Sequence, residues 1–288
     1  MGGGESKPGK ILIIVPVFNV PHVVVTENKW KDLQYVKNYQ PQTKAVSHVR
    51  VLLYGPVGAG KSSFISSVTS VLRGRMANVA LVGANNADQS ITKHYKTHKI
   101  KKEVRGNFYP FVFNDIMGLE EKTGQGVSVE DIKLALKGHV KDGYKFNPVS
   151  SLTPEDPGYN SSPSPDDRVH VLVWVCSANT PNVTPAILQK MRDVREAASD
   201  MNIPQLVLVT KVDEACAETE KDLKNIYKSK HLKKKMSDIS SALGVPLNCF
   251  FPVKNYSKEI SLNDDVDSLI LSALRVMIDF GDDFIETM

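Results

Sequence analysis

The chain has 288 residues, 41% of them apolar and 24% charged, which is the composition of a globular protein long enough to bury a sizeable core. A net charge of +4 is too small to imply a polyanionic partner. Three widely separated cysteines (Cys176, Cys216, Cys249) make neither a C-x-x-C metal pair nor a disulfide framework, and this usage fits a reducing compartment.

Residues 1–48 read as an N-terminal tail and strap. Met1-Gly2-Gly3-Gly4-Glu5-Ser6 matches the N-myristoylation pattern with Gly2 as acceptor, and peripheral membrane contact is expected only if that glycine is acylated. The apolar run 11–25 is interrupted by Pro16, Asn19, Pro21 and His22 and falls short of the ~20 residues of a spanning helix, so it reads as a strand or strap. Residues 27–38 predict a short helix burying Trp30, Leu33 and Val36.

From residue 49 the pattern becomes regular. A buried strand over 49–54 runs into a glycine, and a helix over 61–72 follows, with Gly74 placed as its C-terminal cap. Further strands are expected at 78–82, 97–104, 109–114, 169–175, 205–210 and 248–253. Helices are expected at 129–137, 185–199, 218–227, 233–243 and 264–284. Apolar strands alternating with amphipathic helices predict an α/β fold over 49–288 with a mostly parallel central sheet and helices on both faces, which the three motifs that follow specify as a P-loop NTPase of the Ras-like G domain type. Residues 143–168, rich in Pro, Ser, Asn and Asp, predict a long surface insertion.

The segment Gly55-Pro56-Val57-Gly58-Ala59-Gly60-Lys61-Ser62 is G-x-x-x-x-G-K-S, between a strand and a helix, which is the context that phosphate binding requires. Glycines let the chain wrap so that backbone N–H groups point at phosphate oxygens, and the helix N-terminus adds a favourable dipole. Lys61 is expected to reach the β- and γ-phosphates, Ser62 to ligate Mg²⁺, and Ser63 to complete the turn. The pattern arises by chance in roughly 1 in 100 chains of this length, so the strand–helix context makes nucleotide binding the working expectation.

Two further motifs follow in order. Asp115-Ile116-Met117-Gly118 ends the strand 109–114; Asp115 is expected to hold Mg²⁺ through water and the Gly118 amide to sense a γ-phosphate. Thr210-Lys211-Val212-Asp213 ends the strand 205–210. The Asp213 carboxylate can accept from both N1–H and N2–H of guanine, a donor pair that adenine lacks, while Lys211 is expected to lie along the base and brace the phosphate loop. The base is therefore read as guanine, with GTP/GDP and Mg²⁺ as cofactors. Thr92 is expected to supply a hydroxyl to the metal, with Ser90 and Thr97 as alternatives. Lys254 and Asn255 are expected near guanine O6.

The position after Gly118 is Leu119, which cannot orient water by hydrogen bonding as the glutamine of a fast GTPase does. Turnover of GTP and water to GDP and phosphate is expected to be slow, and the catalytic group is left unassigned. The alternative is a scaffold whose nucleotide is structural. Basic clusters at 93–105 and 228–235 read as solvated faces without an interleaved aromatic ladder, so nucleic acid is not expected as a partner.

The run from Arg50 through Tyr54, Gly55, Lys61 and Ser62 to Phe64 resembles the nucleotide domain of the interferon-induced protein 44 family. So do Ala80-Leu81-Val82-Gly83, Tyr144-Lys145-Phe146-Asn147-Pro148, Lys254-Asn255-Tyr256-Ser257 and Leu269-Ile270-Leu271-Ser272-Ala273-Leu274-Arg275. The likeness covers about residues 48–285. It implies a cytoplasmic protein of interferon-induced innate antiviral defence, able to form homo-oligomers and to engage host or viral protein partners. Some longer relatives carry a separate domain ahead of this one, whereas about 48 residues precede the first strand here.

Overall fold

The computed structural model describes residues 29–77, 93–104, 106–122, 124–179 and 183–288. Strand β1 (Val49–Tyr54) is buried at every position, Arg50 included, so both of its faces are covered. It pairs in parallel with β3 (Phe108–Asp115) on one side and β4 (Val171–Ser177) on the other. Parallel pairing continues to β5 (Gln205–Thr210) and β6 (Phe250–Pro252), and β2 (Lys96–Lys101) closes the other edge antiparallel to β3. The strand order β2-β3-β1-β4-β5-β6 is the expected mostly parallel sheet. Its consequence is positional: the loops leaving β1, β3, β5 and β6 all emerge at one edge of the sheet, where ligand crevices of such folds lie. The strand expected at 78–82, the residues Gly2, Ser90 and Thr92, and the run 11–25 lie outside the described residues.

Helix α2 (Lys61–Arg73) begins directly after Gly60 and stops at Gly74, whose left-handed φ of 63° lets its N–H reach Ser70 O and Val71 O. Helix α7 (Asp264–Glu286) is capped by the Asn263 side chain, which accepts from the Asp265 and Val266 amides. It lies so close to the sheet that a Cβ at Gly281 would sit 2.4 Å from Val49 Cγ1 and 3.0 Å from Val171 Cγ2. Away from α7, helix α3 (Val129–Leu136) packs on α4 (Pro185–Asp200), and α4 packs on α6 (Lys230–Leu243). None of the described helices is long and apolar enough to cross a membrane.

Helix α1 (Lys29–Asn38) rests on α7 through polar pairs. Lys29 Nζ meets Asp264 at 2.6 Å and Asp267 at 2.8 Å, Arg275 donates to Asp32 at 2.8 Å, and Tyr39 Oη donates to Asp282 at 2.8 Å. Leu33 and Val36 are buried as expected, but Trp30 is 67% exposed. The helical period explains this: Lys29, Asp32, Leu33 and Val36 share the α7-facing stripe, and residue 30 falls about 120° away from Val36. The helix expected over 218–227 is broken as well. Helix α5 (Ala217–Lys221) ends where Asp222 turns extended and its carboxylate caps the Lys224 amide, opening a 3₁₀ turn over Leu223–Lys228. A side chain bonding its local backbone here outcompetes helix continuation.

The segment 143–168 contributes to the core despite its polar composition. Phe146 and Leu152 are buried, the Phe146 ring meets Tyr95 edge-on at 6.4 Å, and the Leu152 amide donates to Asp131 Oδ1 at 2.8 Å.

Gly281 offers a direct check of the α7 contact. Alanine gains roughly 1 kcal/mol of helix propensity over glycine, but overpacking a core costs about 1–3 kcal/mol. Against the fully buried Val49 the second effect wins, so Gly281→Ala lowers the urea midpoint, and lowers it less in a Val49→Ala background than in the parent.

Candidate functional site

The loop between β1 and α2 has a geometry only glycine supports at its two ends. Gly55 has a φ of 148°. A Cβ there would fall 2.1 Å from the Val175 carbonyl oxygen, a backbone atom that cannot step aside. Gly60, at φ 95°, occupies the N-cap of α2 and brings no side-chain cap to its first turn, so the positive end of a 13-residue helix faces the loop.

Lys61 is 7% exposed, and its ammonium donates to Gly55 O at 3.0 Å and Pro56 O at 3.1 Å, curled onto the loop it follows. Burial lowers its pKa to about 8, with Asp115 opposing only in part. The next residue, Ser62, donates to Asp115 Oδ2 at 2.5 Å. Asp115 closes β3 at 2% exposure. A hydroxyl and a carboxylate in contact beside a phosphate loop are the hard oxygen donors that Mg²⁺ takes from a protein, the remaining ligands being water and phosphate.

Beyond Asp115 the chain runs against the loop. A Cβ on Gly118 would lie 2.6 Å from Val57 Cγ2 and 2.8 Å from Val57 N. The Leu119 amide donates to Gly55 O at 3.0 Å, and the Val127 amide returns to Gly118 O at 3.2 Å, closing 118–127 on itself. The Leu119 side chain is 1% exposed, so this position presents hydrocarbon to the core. Thr97, an alternative to Thr92 for the metal, sits in β2 with its hydroxyl accepting from Asn114 Nδ2 at 2.9 Å, and Asn114 in turn takes Arg50 at 2.9 Å. It belongs to that separate buried network.

The third motif meets the loop from the far side. Thr210 donates to Ala59 O at 2.6 Å, with Cys176 O at 3.1 Å as a second acceptor. Lys211 takes a left-handed φ of 55° to start the turn Val212–Glu214, which carries Asp213. Lys211 makes no side-chain hydrogen bond to the loop among the described residues; bracing falls instead to Thr210 and to Asn255, whose Nδ2 donates to Gly60 O at 3.2 Å. The Asn255 Oδ1 is buried with no hydrogen-bond partner among the described residues. Lys254 Nζ lies 3.5 Å from Asp213 Oδ2 and 3.0 Å from Glu259 Oε1. Burial works against the Lys254 charge, yet Glu259 and Asp213 together raise its pKa. Glu259 is held down to about 2: burial pushes upward, and the Ser257 amide and Lys254 outweigh it.

The structure thus gathers residues 55–63, Asp115, Gly118, Thr210, Lys211, Asp213, Lys254 and Asn255 at one edge of the sheet. Two members escaped the sequence reading. Glu259 anchors Lys254, and the Ser67 hydroxyl on α2 accepts the Tyr256 amide at 2.9 Å, holding the loop after β6 in place. Charge complementarity within Lys254–Glu259 was a legible hint of the first; nothing local marked the second.

No family model matches the sequence. Interferon-induced protein 44-like of Homo sapiens is 35% identical over 263 residues, covering 91% of this chain and 58% of that protein. Interferon-induced protein 44 of Mus musculus is 34% identical over 257 residues, covering 89% of this chain and 60% of that protein. The chain therefore spans less than two thirds of the length of these relatives. Among solved structures, Toc33 from Arabidopsis thaliana in complex with GDP and Mg²⁺ aligns with 89% of this chain and 93% of its own, at 12% identity and a TM-score of 0.48, too distant to say what this chain binds.

The buried ammonium makes anion affinity depend on pH. Below about 8, Lys61 is already charged and contributes no pH dependence; above it, a proton must be taken up before a phosphate can be met. Affinity for a nucleoside di- or triphosphate is expected to fall by up to about tenfold per pH unit above that value. Calorimetry in buffers of different ionisation heat then registers uptake of a proton.

Proposed function

Nine tenths of this chain is related by sequence to the interferon-induced protein 44 family, and on that footing we propose that it is a guanine-nucleotide-binding protein. The reading has GTP or GDP held with Mg²⁺, in a cytoplasmic protein of the interferon-induced antiviral response. The observation that carries it is the pair of side-chain ties from Thr210 to Ala59 O and from Asn255 to Gly60 O, which set Asp213 beside the phosphate loop. In this reading, residues 55–63 cradle the phosphates with backbone N–H groups, Lys61 leaves its carbonyl acceptors for phosphate oxygens, and Ser62 and Asp115 hold the magnesium. Asp213 accepts from the guanine edge, and adenine would leave that acid unpaired. Bound magnesium supplies charge neutralisation along the phosphates.

Slow hydrolysis follows from Leu119, which offers no hydrogen bond to a water and is packed into the core. Faster turnover requires a polar group from a second copy or from a host or viral protein. The same burial favours a second reading, a scaffold whose nucleotide serves structure alone. Single-turnover assays with GTP at low and raised protein concentration separate the two: slow turnover that rises with concentration fits a switch completed by self-association, and none at any concentration leaves the scaffold.

Base recognition has its own check. Asp213→Ala is expected to weaken GDP by about 150-fold or more, the loss of two hydrogen bonds to a charged acceptor at roughly 1.5 kcal/mol or more each, while leaving ADP binding unchanged or tighter. Calorimetry that finds the preference for GDP intact in the variant would remove the guanine assignment.

A further inference from the structure

At the end of the sheet opposite the nucleotide loops, the turn joining β2 to β3 stands beside the last turn of α2. The turn is closed by the Lys102 amide on Asn107 O at 2.8 Å and the Asn107 amide on Val104 O at 3.2 Å, and it places Lys101 across from Phe108. Arg73, the last residue of α2, and Arg75, just past its Gly74 cap, approach from the other side, and together they enclose an open cleft of about 670 Å³. Among the described residues no carboxylate pairs with Arg73, Arg75, Lys101 or Lys102. Glu103, the acid on this rim, is already answered by Lys37 at 3.0 Å. Two large apolar side chains stand among these cations in solvent, Val104 at 66% and Phe108 at 42% exposure.

Four cations with no carboxylate partner among the described residues, flanking exposed apolar side chains on a tight turn, are complementary to a surface with anionic headgroups over hydrocarbon. We propose that the β2–β3 turn and the end of α2 form a docking site for an anionic phospholipid membrane. Val104 and Phe108 enter the interfacial layer while Arg73, Arg75, Lys101 and Lys102 meet the phosphates. Nucleic acid accounts for the charge and could stack a base on Phe108, since Tyr109 is covered by Lys102, but it leaves the exposed Val104 without a role. The site needs no acyl group at Gly2. It lies at the far end of β3 from Asp115, roughly 23 Å along the strand, so the nucleotide edge faces away from the docked membrane. This is independent of the nucleotide reading.

The test is co-sedimentation of the full, unacylated chain with vesicles of phosphatidylcholine alone and of phosphatidylcholine mixed with phosphatidylserine. Binding is expected to the mixed vesicles only, and to weaken as salt is raised. Arg75→Ala with Lys101→Ala, both exposed, is expected to lower partitioning about 25-fold, at roughly fivefold per cation. Val104→Ser, also exposed, lowers it severalfold with an unchanged circular dichroism spectrum. Equal binding to both vesicle types, or variants that bind as the parent does, overturns the proposal. So does a patch that binds duplex RNA tightly while ignoring Val104→Ser, because it then serves nucleic-acid phosphate.

Discussion

The hydroxyl of Thr210 on the carbonyl of Ala59, with the Asn255 amide on Gly60 beside it, is the joint on which the candidate site depends. Each tie answers a carbonyl of the loop between β1 and α2, and the two come from the ends of different parallel strands, Thr210 closing β5 and Asn255 following β6. The glycine-rich loop and the strand ends that carry Asp213 and Lys254 are thereby tied together. Without such ties the glycine-rich loop would lose the partners that fix its left-handed turns, and Asp213 would have no set distance from it.

That joint also lets the protein hold a charge where water is scarce. Lys61 is buried, and a pKa drawn down from 10.5 to about 8 corresponds to about 3 kcal/mol of strain on the folded state at neutral pH. The sign is that of a base with a depressed folded value: the penalty is full below about 8 and fades as pH climbs toward 10.5. Asp115 opposes it in part, and a bound polyanion would offset it further. Stability given up at the loop is thus available as affinity, and the extended core of β1, β4 and β5, buried at nearly every position, supplies the margin.

The two ends of the sheet differ in chemistry. Strand ends on one side carry the candidate nucleotide site, where Leu119 is packed into the core. The other edge presents cations and two exposed apolar groups. Helix α1 belongs to neither: polar pairs to α7 hold it, and Trp30 on its outer side is left to solvent.

How much was legible in the sequence follows from the range of the forces involved. The phosphate loop, its strand and helix, the acids at 115 and 213 and the parallel α/β layout could be read directly, because they rest on local backbone needs and on the periods of buried faces. The break at Asp222 was hidden because a single side-chain cap outweighed a helical pattern, and Trp30 was misplaced because hydrophobicity says nothing about which stripe meets a neighbour. The bracing of the loop was assigned by motif to Lys211 and is carried by Thr210 and Asn255. Those ties join residues 151 and 195 positions apart, so no window of sequence contains both partners. The chain by itself determined which chemistry stands at each strand end; only the packed sheet, by bringing those ends to one edge, decided which side chains touch.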